Sequence, residues 1–205
     1  MFTSIRKLYD WVLSWAETPH GSIALFILAF SEASFFPIPP DVLLIALALG
    51  SRSKSFKFAL ICSIASISGG IAGYGIGHFL WWNGDSYNMV AHFFFNNIPG
   101  FSEELFLNIK EQYDIHGFII IFTAGFTPIP YKLFTITAGA FKISFPSFLI
   151  AAIISRSARF FLVSFLIRKY GEKVKDFIDQ YFNLLTVVFI FLLVGGYVLI
   201  KYVFI

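Results

Sequence analysis

Two apolar stretches of this chain, residues 22–50 and 117–141, are each broken near the middle by the same tripeptide, Pro-Ile-Pro. Proline cannot donate to a helical ladder and clashes with the preceding turn, and the residue before it is pushed out of helix. The first stretch therefore divides into 22–36, the turn Pro37-Ile38-Pro39-Pro40, and 41–50. At ~1.5 Å per residue these arms are about 22 Å and 15 Å long. The second divides into 117–127, Pro128-Ile129-Pro130 and 131–141.

The solvent for such a chain is not water. Of its 205 residues 58% are hydrophobic and 13% charged, against roughly a quarter charged in a soluble domain. Neither arm of the first stretch spans ~30 Å of hydrocarbon, but together they can enter a bilayer, turn, and leave by the same face. Irregular backbone at membrane depth survives only where protein or a wet cavity lines it. The turns holding Pro37, Pro39 and Pro40, and Pro128 and Pro130, are thus expected to face the interior. Three further stretches, 58–82, 146–168 and 184–205, have no proline in the middle and are long enough to cross. Residues 1–20 carry Arg6 and Lys7, then Leu8, Trp11, Val12 and Trp15 at helical spacing. They read as an amphipathic helix lying on the membrane surface.

An offset of 91 positions lays Phe35 on Phe126, Pro37 on Pro128, Ile38 on Ile129, Pro39 on Pro130 and Asp41 on Lys132. Each copy is followed by a plain hydrophobic helix, which argues for an internal repeat. Charge then decides how the copies sit. If both hairpins return to their starting side, Arg6, Lys7, Arg52, Lys54, Lys57, Arg168, Lys169, Lys173 and Lys175 fall on one face. The other face receives the connection 83–116, with Asp85, Glu103, Glu104, Glu111 and Asp114 against Lys110. That division follows the positive-inside rule; two kinked spans would violate it. The expected fold is an all-α, multi-pass membrane protein in one domain. It has two inverted re-entrant hairpins, three transmembrane helices and an external loop over 83–116, with the N-terminus cytoplasmic and the C-terminus outside.

Five ionisable residues lie inside apolar segments: Glu32, Asp41, Lys132, Arg156 and Arg159. Each costs about 2.5–3.5 kcal/mol near the bilayer centre on insertion scales, so they should face one another or water. Arg156 and Arg159, three apart, share a helix face. Two readings stand. The five neutralise one another and only fix packing, or Lys132, Arg156 and Arg159 form a phosphate-binding site with Glu32 or Asp41 competing for the cations and taking up a proton. Gly69, Gly73 and Gly77 form a four-residue ladder suited to close helix packing in lipid. His20, His78, His92 and His116 are scattered, without metal-ligand spacing. No nucleophile elbow or P-loop is present, and nothing points to an enzyme, a cofactor or a nucleic-acid partner. The partners in view are membrane lipids and protons; oligomerisation is left open.

Glu32 followed by Phe36-Pro37-Ile38-Pro39-Pro40-Asp41, the glycine-rich helix with Gly73-Tyr74, and Phe126-Thr127-Pro128 with Gly139 together resemble the DedA family of SNARE-associated, VTT-domain membrane proteins. The stretch from Ser155-Arg156 to Arg159-Phe160 resembles its YqaA-like subgroup. The resemblance covers about Ala24 to Gly171. It implies two re-entrant hairpins meeting from opposite faces of a bacterial cytoplasmic membrane. It also implies transport or scrambling of phospholipid or undecaprenyl phosphate, linked to the proton gradient, with essential acids at Glu32 and Asp41. Many members carry Arg-Phe-x-Pro-x-x-Arg where this chain has Gly125-Phe126-Thr127-Pro128-Ile129-Pro130-Tyr131. Lys132, Arg156 and Arg159 would stand in for the two missing arginines. The competing functions are a proton-coupled exporter of small ions or drugs, and a non-transporting membrane scaffold.

Overall fold

The structure, a computed structural model, describes residues 18, 20–36, 38–98, 102–127, 130–171 and 173. The expected surface helix 1–20 (bar residues 18 and 20), the span 184–205, Pro37, Pro128 and Ile129 lie outside the described residues.

Helix α1 (Gly21–Ser34) buries Leu25, Ala29, Glu32 and Ala33 on one stripe. It stops where the backbone N–H groups of Phe35 and Phe36 both donate to the Ser31 carbonyl, at 2.8 and 2.7 Å, just before the first proline. Helix α2 (Asp41–Gly50) starts after Pro40. A short 3-10 turn, Arg52–Lys54, leads into the 27-residue α3 (Ser55–Trp81). The buried face of α3 consists mainly of small residues: Ser55, Ala59, Cys62, Ser63, Ala65, Ser66, Gly69, Gly70, Gly73 and Gly77, with Phe58.

Residues 83–116 are more than an external loop. Strands β1 (Trp82–Asn83) and β2 (Ser86–Tyr87) form a minimal antiparallel ladder, a small departure from the all-α expectation. Gly84 opens the two-residue loop with a φ of 66° that a side chain would resist. Helix α4 (Met89–Asn97) follows, then α5 (Glu103–Phe126). Helix α5 starts 14 residues before the arm read from hydropathy at 117. Its cause is local. The Ser102 hydroxyl accepts from the N–H of Leu105, and Glu103 and Glu104 favour the first turn. Lys110 pairs with Asp114 one turn on. Phe106, Tyr113, Gly117, Ile121 and Ala124 keep one buried stripe across the polar and apolar halves. Hydropathy recorded the change of solvent-facing residues; the stripe records the helix. Helix α6 (Tyr131–Ala140) and α7 (Phe145–Gly171) complete the described chain.

Among the described residues, two helical stretches are long and apolar enough to cross a membrane, Arg52–Trp81 and Phe145–Gly171. The outer face of α7 leaves Ile150, Ile153, Ile154, Leu162, Phe165 and Leu166 exposed, as lipid contact requires.

The two helix pairs approach α3 from opposite ends. The start of α1 and the end of α2 meet in one cleft beside Lys57 and Phe58, at the beginning of α3. At the other end Trp81 stacks on Phe106 of α5 with ring centres 5.4 Å apart, and the Trp82 indole donates to the Ala140 carbonyl at 2.7 Å. Each pair has its own apolar core. Leu25, Leu43, Leu44, Phe58, Cys62 and Phe160 pack around α1–α2, and Phe106, Ile121, Tyr131, Phe141, Phe148 and Ala151 around α5–α6. Helices α3 and α7 run through both. Arg156 falls between Ala152 of one core and Phe160 of the other. The seam between the cores is where the charges collect.

Candidate functional site

Four of the five candidate residues meet at that seam as two ion pairs. Arg156 donates from Nη2 to Glu32 Oε2 at 2.8 Å and from Nε to the Ser66 hydroxyl at 2.6 Å. The other Glu32 oxygen accepts from the backbone N–H of Tyr131 at 3.3 Å. Arg159 holds Asp41 with a two-pronged fork, Nε to Oδ1 at 3.1 Å and Nη2 to Oδ2 at 2.9 Å. Its Nη1 donates to the carbonyl of Thr127.

Apart from the Arg156–Ser66 bond, these contacts draw on the ends of the broken helices. Tyr131 is the first residue of α6, so Glu32 sits where unpaired N–H groups and the positive end of the helix dipole favour an anion. Asp41 is the first residue of α2. Thr127 is the C-cap of α5, so Arg159 faces the negative end of that helix. Breaking two helices at proline thus creates four orphaned ends; Glu32 and Arg159 hydrogen-bond to two of them, and Asp41 places its charge in the first turn of a third. The fourth, the end of α1, is tied across: Thr135 Oγ1 of α6 donates to the Ala33 carbonyl at 2.9 Å. Arg159 touches both helix pairs, through Asp41 on one and Thr127 on the other, beside the Glu32–Tyr131 and Thr135–Ala33 bonds that also join them.

The two pairs differ in depth. Arg156 is 2% exposed and Glu32 6%, with the guanidinium carbon 4.8 Å from the Tyr131 ring centre and 4.6 Å from that of Phe160. These faces add cation–π attraction, which is stronger at so buried a site. The side chains of Arg159 and Asp41 are 13% and 18% exposed. The inner pair is sealed; the outer pair is reachable.

Lys132 is not drawn in. It lies half-buried on the first turn of α6, and among the described residues its ammonium has no hydrogen-bond or ion-pair partner. Of the turn prolines, Pro40 is buried and Pro39 and Pro130 are half-buried, beside the junction. The glycine ladder faces the same region. A Cβ on Gly69 would run into the Phe30 carbonyl, one on Gly73 into Thr135, and one on Gly77 into the Ile136 carbonyl. Gly139 of α6 answers from the other side against the Tyr74 carbonyl. Helices α1 and α6 thereby touch α3 backbone to backbone.

Sequence reading missed Ser66, the Thr127 carbonyl and Tyr131. Ser66 had a signal: it stands three, seven and eleven residues before Gly69, Gly73 and Gly77, on the same small-residue face. The Thr127 carbonyl had none, because any residue supplies one.

The match to known proteins agrees with this architecture. The VTT domain profile covers residues 36–169, from the first proline turn through the arginine helix. The chain belongs to the VTT-domain family, also called DedA. VTT-domain proteins are membrane proteins, and the two long apolar helices fit that setting. An uncharacterised VTT-domain relative from Haemophilus influenzae is 36% identical over 170 residues, covering 81% of this chain and 82% of the relative. One from Histophilus somni is 34% identical over 168 residues, with the same coverages. An archaeal relative from Methanocaldococcus jannaschii is 30% identical over 150 residues, covering 68% of this chain and 79% of its own. No solved structure matches.

Proposed function

We propose that this VTT-domain protein moves a phosphate-bearing lipid between membrane leaflets, the head group passing the junction of two re-entrant helix pairs while the tails stay in the bilayer. The observation that carries this reading is the Arg159 fork. One partly accessible guanidinium holds the first pair through Asp41 and the second through the end of α5. A phosphate presents the same planar pair of acceptor oxygens as a carboxylate and competes for the same fork. When it takes Arg159, the link between the two pairs opens on the Asp41 side. A proton delivered to Asp41 would weaken the same link, which is how transport would couple to a proton gradient. Lys132, cationic and unpartnered among the described residues, supplies the surplus positive charge that an arriving anion needs.

In this scheme the pairs divide the work. Glu32 and Arg156 are the fixed joint, since two sealed charges cannot part without severe cost. Asp41 and Arg159 are the moving one. Opposed broken helices whose ends hold charged groups around a central site are also the build of inverted-repeat transporters.

The test is exchange of a fluorescent phosphatidylglycerol between leaflets of proteoliposomes. Losing one charge-assisted contact of about 1.5–3 kcal/mol predicts that Arg159→Gln slows exchange roughly ten- to hundredfold, with reconstituted protein unchanged. Equal rates for wild type and Arg159→Gln would remove the proposed role. Flux of a soluble solute without lipid exchange would favour the exporter. No flux of either kind from well-folded protein would favour the scaffold.

A further inference from the structure

We infer that the cleft at the open end of α1–α2 is a separate, stationary site for the head group of an anionic lipid. The cleft has a volume of about 420 Å³ and is lined by Thr18, Ser22, Ser51, Lys54 and Lys57 among others, with no carboxylate among the described residues of its walls. The ammonium groups of Lys54 and Lys57 have no hydrogen-bond or ion-pair partner among the described residues. Two unopposed ammonium groups over a cluster of hydroxyls form a receptor for a phosphate ester. The first turns of α1 and α3 open at the same place, adding N–H groups and positive helix ends. The end of α2 contributes the opposite polarity there, so the lysines set the sign.

What surrounds the cleft distinguishes a lipid from a free anion. Ser22 on the wall is followed by Ile23, 58% exposed, with Phe26 and Ile27 beyond it on the outside of α1. Lys57 is preceded by the exposed Phe56, and Leu60 is exposed one turn further along α3. A polar, basic socket opening between two bare apolar helix faces takes a head group in the socket and acyl chains along the faces. Soluble phosphate would gain nothing from those faces. The neighbouring Arg168 stacks over Phe56, its guanidinium carbon 5.0 Å from the ring centre, so α7 brings further positive charge to this end of the molecule.

This site stands apart from the Asp41–Arg159 link and does not depend on it, because its readout is binding at rest and not transport. The experiment uses the full chain in detergent micelles and measures retention of short-chain phosphatidylglycerol by native mass spectrometry. Phosphatidylcholine is the neutral comparison and inorganic phosphate the soluble one. Wild type should hold phosphatidylglycerol at least tenfold more tightly than Lys54→Gln/Lys57→Gln, and Lys54→Arg/Lys57→Arg should recover most of the difference. Both lysines lie on the exposed surface, so neither variant disturbs the core. Displacement by millimolar inorganic phosphate alone, with no lipid preference, would assign the socket to a soluble anion and overturn the lipid site. Equal phosphatidylglycerol retention by wild type and the glutamine variant would overturn it as well.

Discussion

Arg156→Met will leave little folded protein, and Glu32→Gln/Arg156→Met will restore most of it. Removing the guanidinium strands the Glu32 carboxylate at 6% exposure, with only the Tyr131 N–H and the end of α6 to hold its charge. Breaking a buried pair from one side costs about 3–5 kcal/mol, because the remaining charge is left without compensation. Typical domains have only about 5–15 kcal/mol to lose. Taking both charges away lifts that penalty. Gln at position 32 still offers a carbonyl oxygen to the Tyr131 amide, and Met fills the arginine's space between the Tyr131 and Phe160 rings. The single variant should show a sharply lowered unfolding temperature and aggregate on size exclusion in detergent, and the double variant should regain more than half of the loss. If the losses of the two single variants simply add, the pair is not coupled and the inner joint is misassigned. The double variant also separates roles. It keeps the joint but not its charge, so any remaining lipid exchange must run through Arg159.

Two glycines on the same helix should respond with opposite signs. In Gly77→Ala the new methyl meets the Ile136 carbonyl carbon at 2.7 Å and the Ala140 nitrogen at 3.0 Å, both backbone atoms of α6. Backbone cannot swing aside as a side chain can, so α6 must move off α3. Overpacking of this kind costs about 1–3 kcal/mol and occasionally more; with backbone on the other side, the upper end is expected. Gly75, two residues away, faces outward, where a Cβ meets only the Phe79 ring at 4.0 Å. There Gly75→Ala should stabilise by about 0.5–1 kcal/mol, since alanine loses less backbone freedom than glycine on entering a helix. Thermal unfolding followed by tryptophan fluorescence distinguishes the two cases. A neutral Gly77→Ala would mean that α3 and α6 do not touch as closely as described.

How much of this could be read in advance depended on whether a feature was local. The proline breaks are local chemistry, so the starts at Asp41 and Tyr131 follow from the sequence alone, and the arms read as ending at Phe36 and Thr127 stop within two residues of there, at Ser34 and Phe126. The glycine ladder is likewise visible as a spacing. The expense of charge in an apolar segment marked Glu32, Asp41, Arg156 and Arg159 without any knowledge of their neighbours. Their pairing was not legible. Glu32 and Arg156 stand 124 positions apart, and three cations could have met two acids in several ways. Only the register of α7 against both cores selects Arg156 for the inner acid and Arg159 for the outer one, and leaves Lys132 aside. The extra length of α5 was missed for the opposite reason. Its first half satisfies a polar surface and a buried stripe at once, and a hydropathy average registers only the first.

The pairing also reshapes the candidate anion site. Three free cations are replaced by one sealed pair, one accessible pair and one lysine unpartnered among the described residues, so a phosphate arriving as proposed would compete with Asp41 for Arg159. In the proposed function this arrangement works as a gate and not an open socket, and that proposal requires the two helix pairs to enter the bilayer from opposite faces.

Side-specific labelling tests that arrangement most directly. Single cysteines placed by His20→Cys, Ser53→Cys and Ser86→Cys, with Cys62 already buried and silent, would be treated with an impermeant maleimide in spheroplasts and in inverted vesicles. The arrangement predicts that positions 20 and 53 react from one side of the membrane and position 86 from the other. Positions 20 and 53 reacting from opposite sides would mean that the first helix pair crosses the bilayer, and the meeting of two opposed hairpins could not stand.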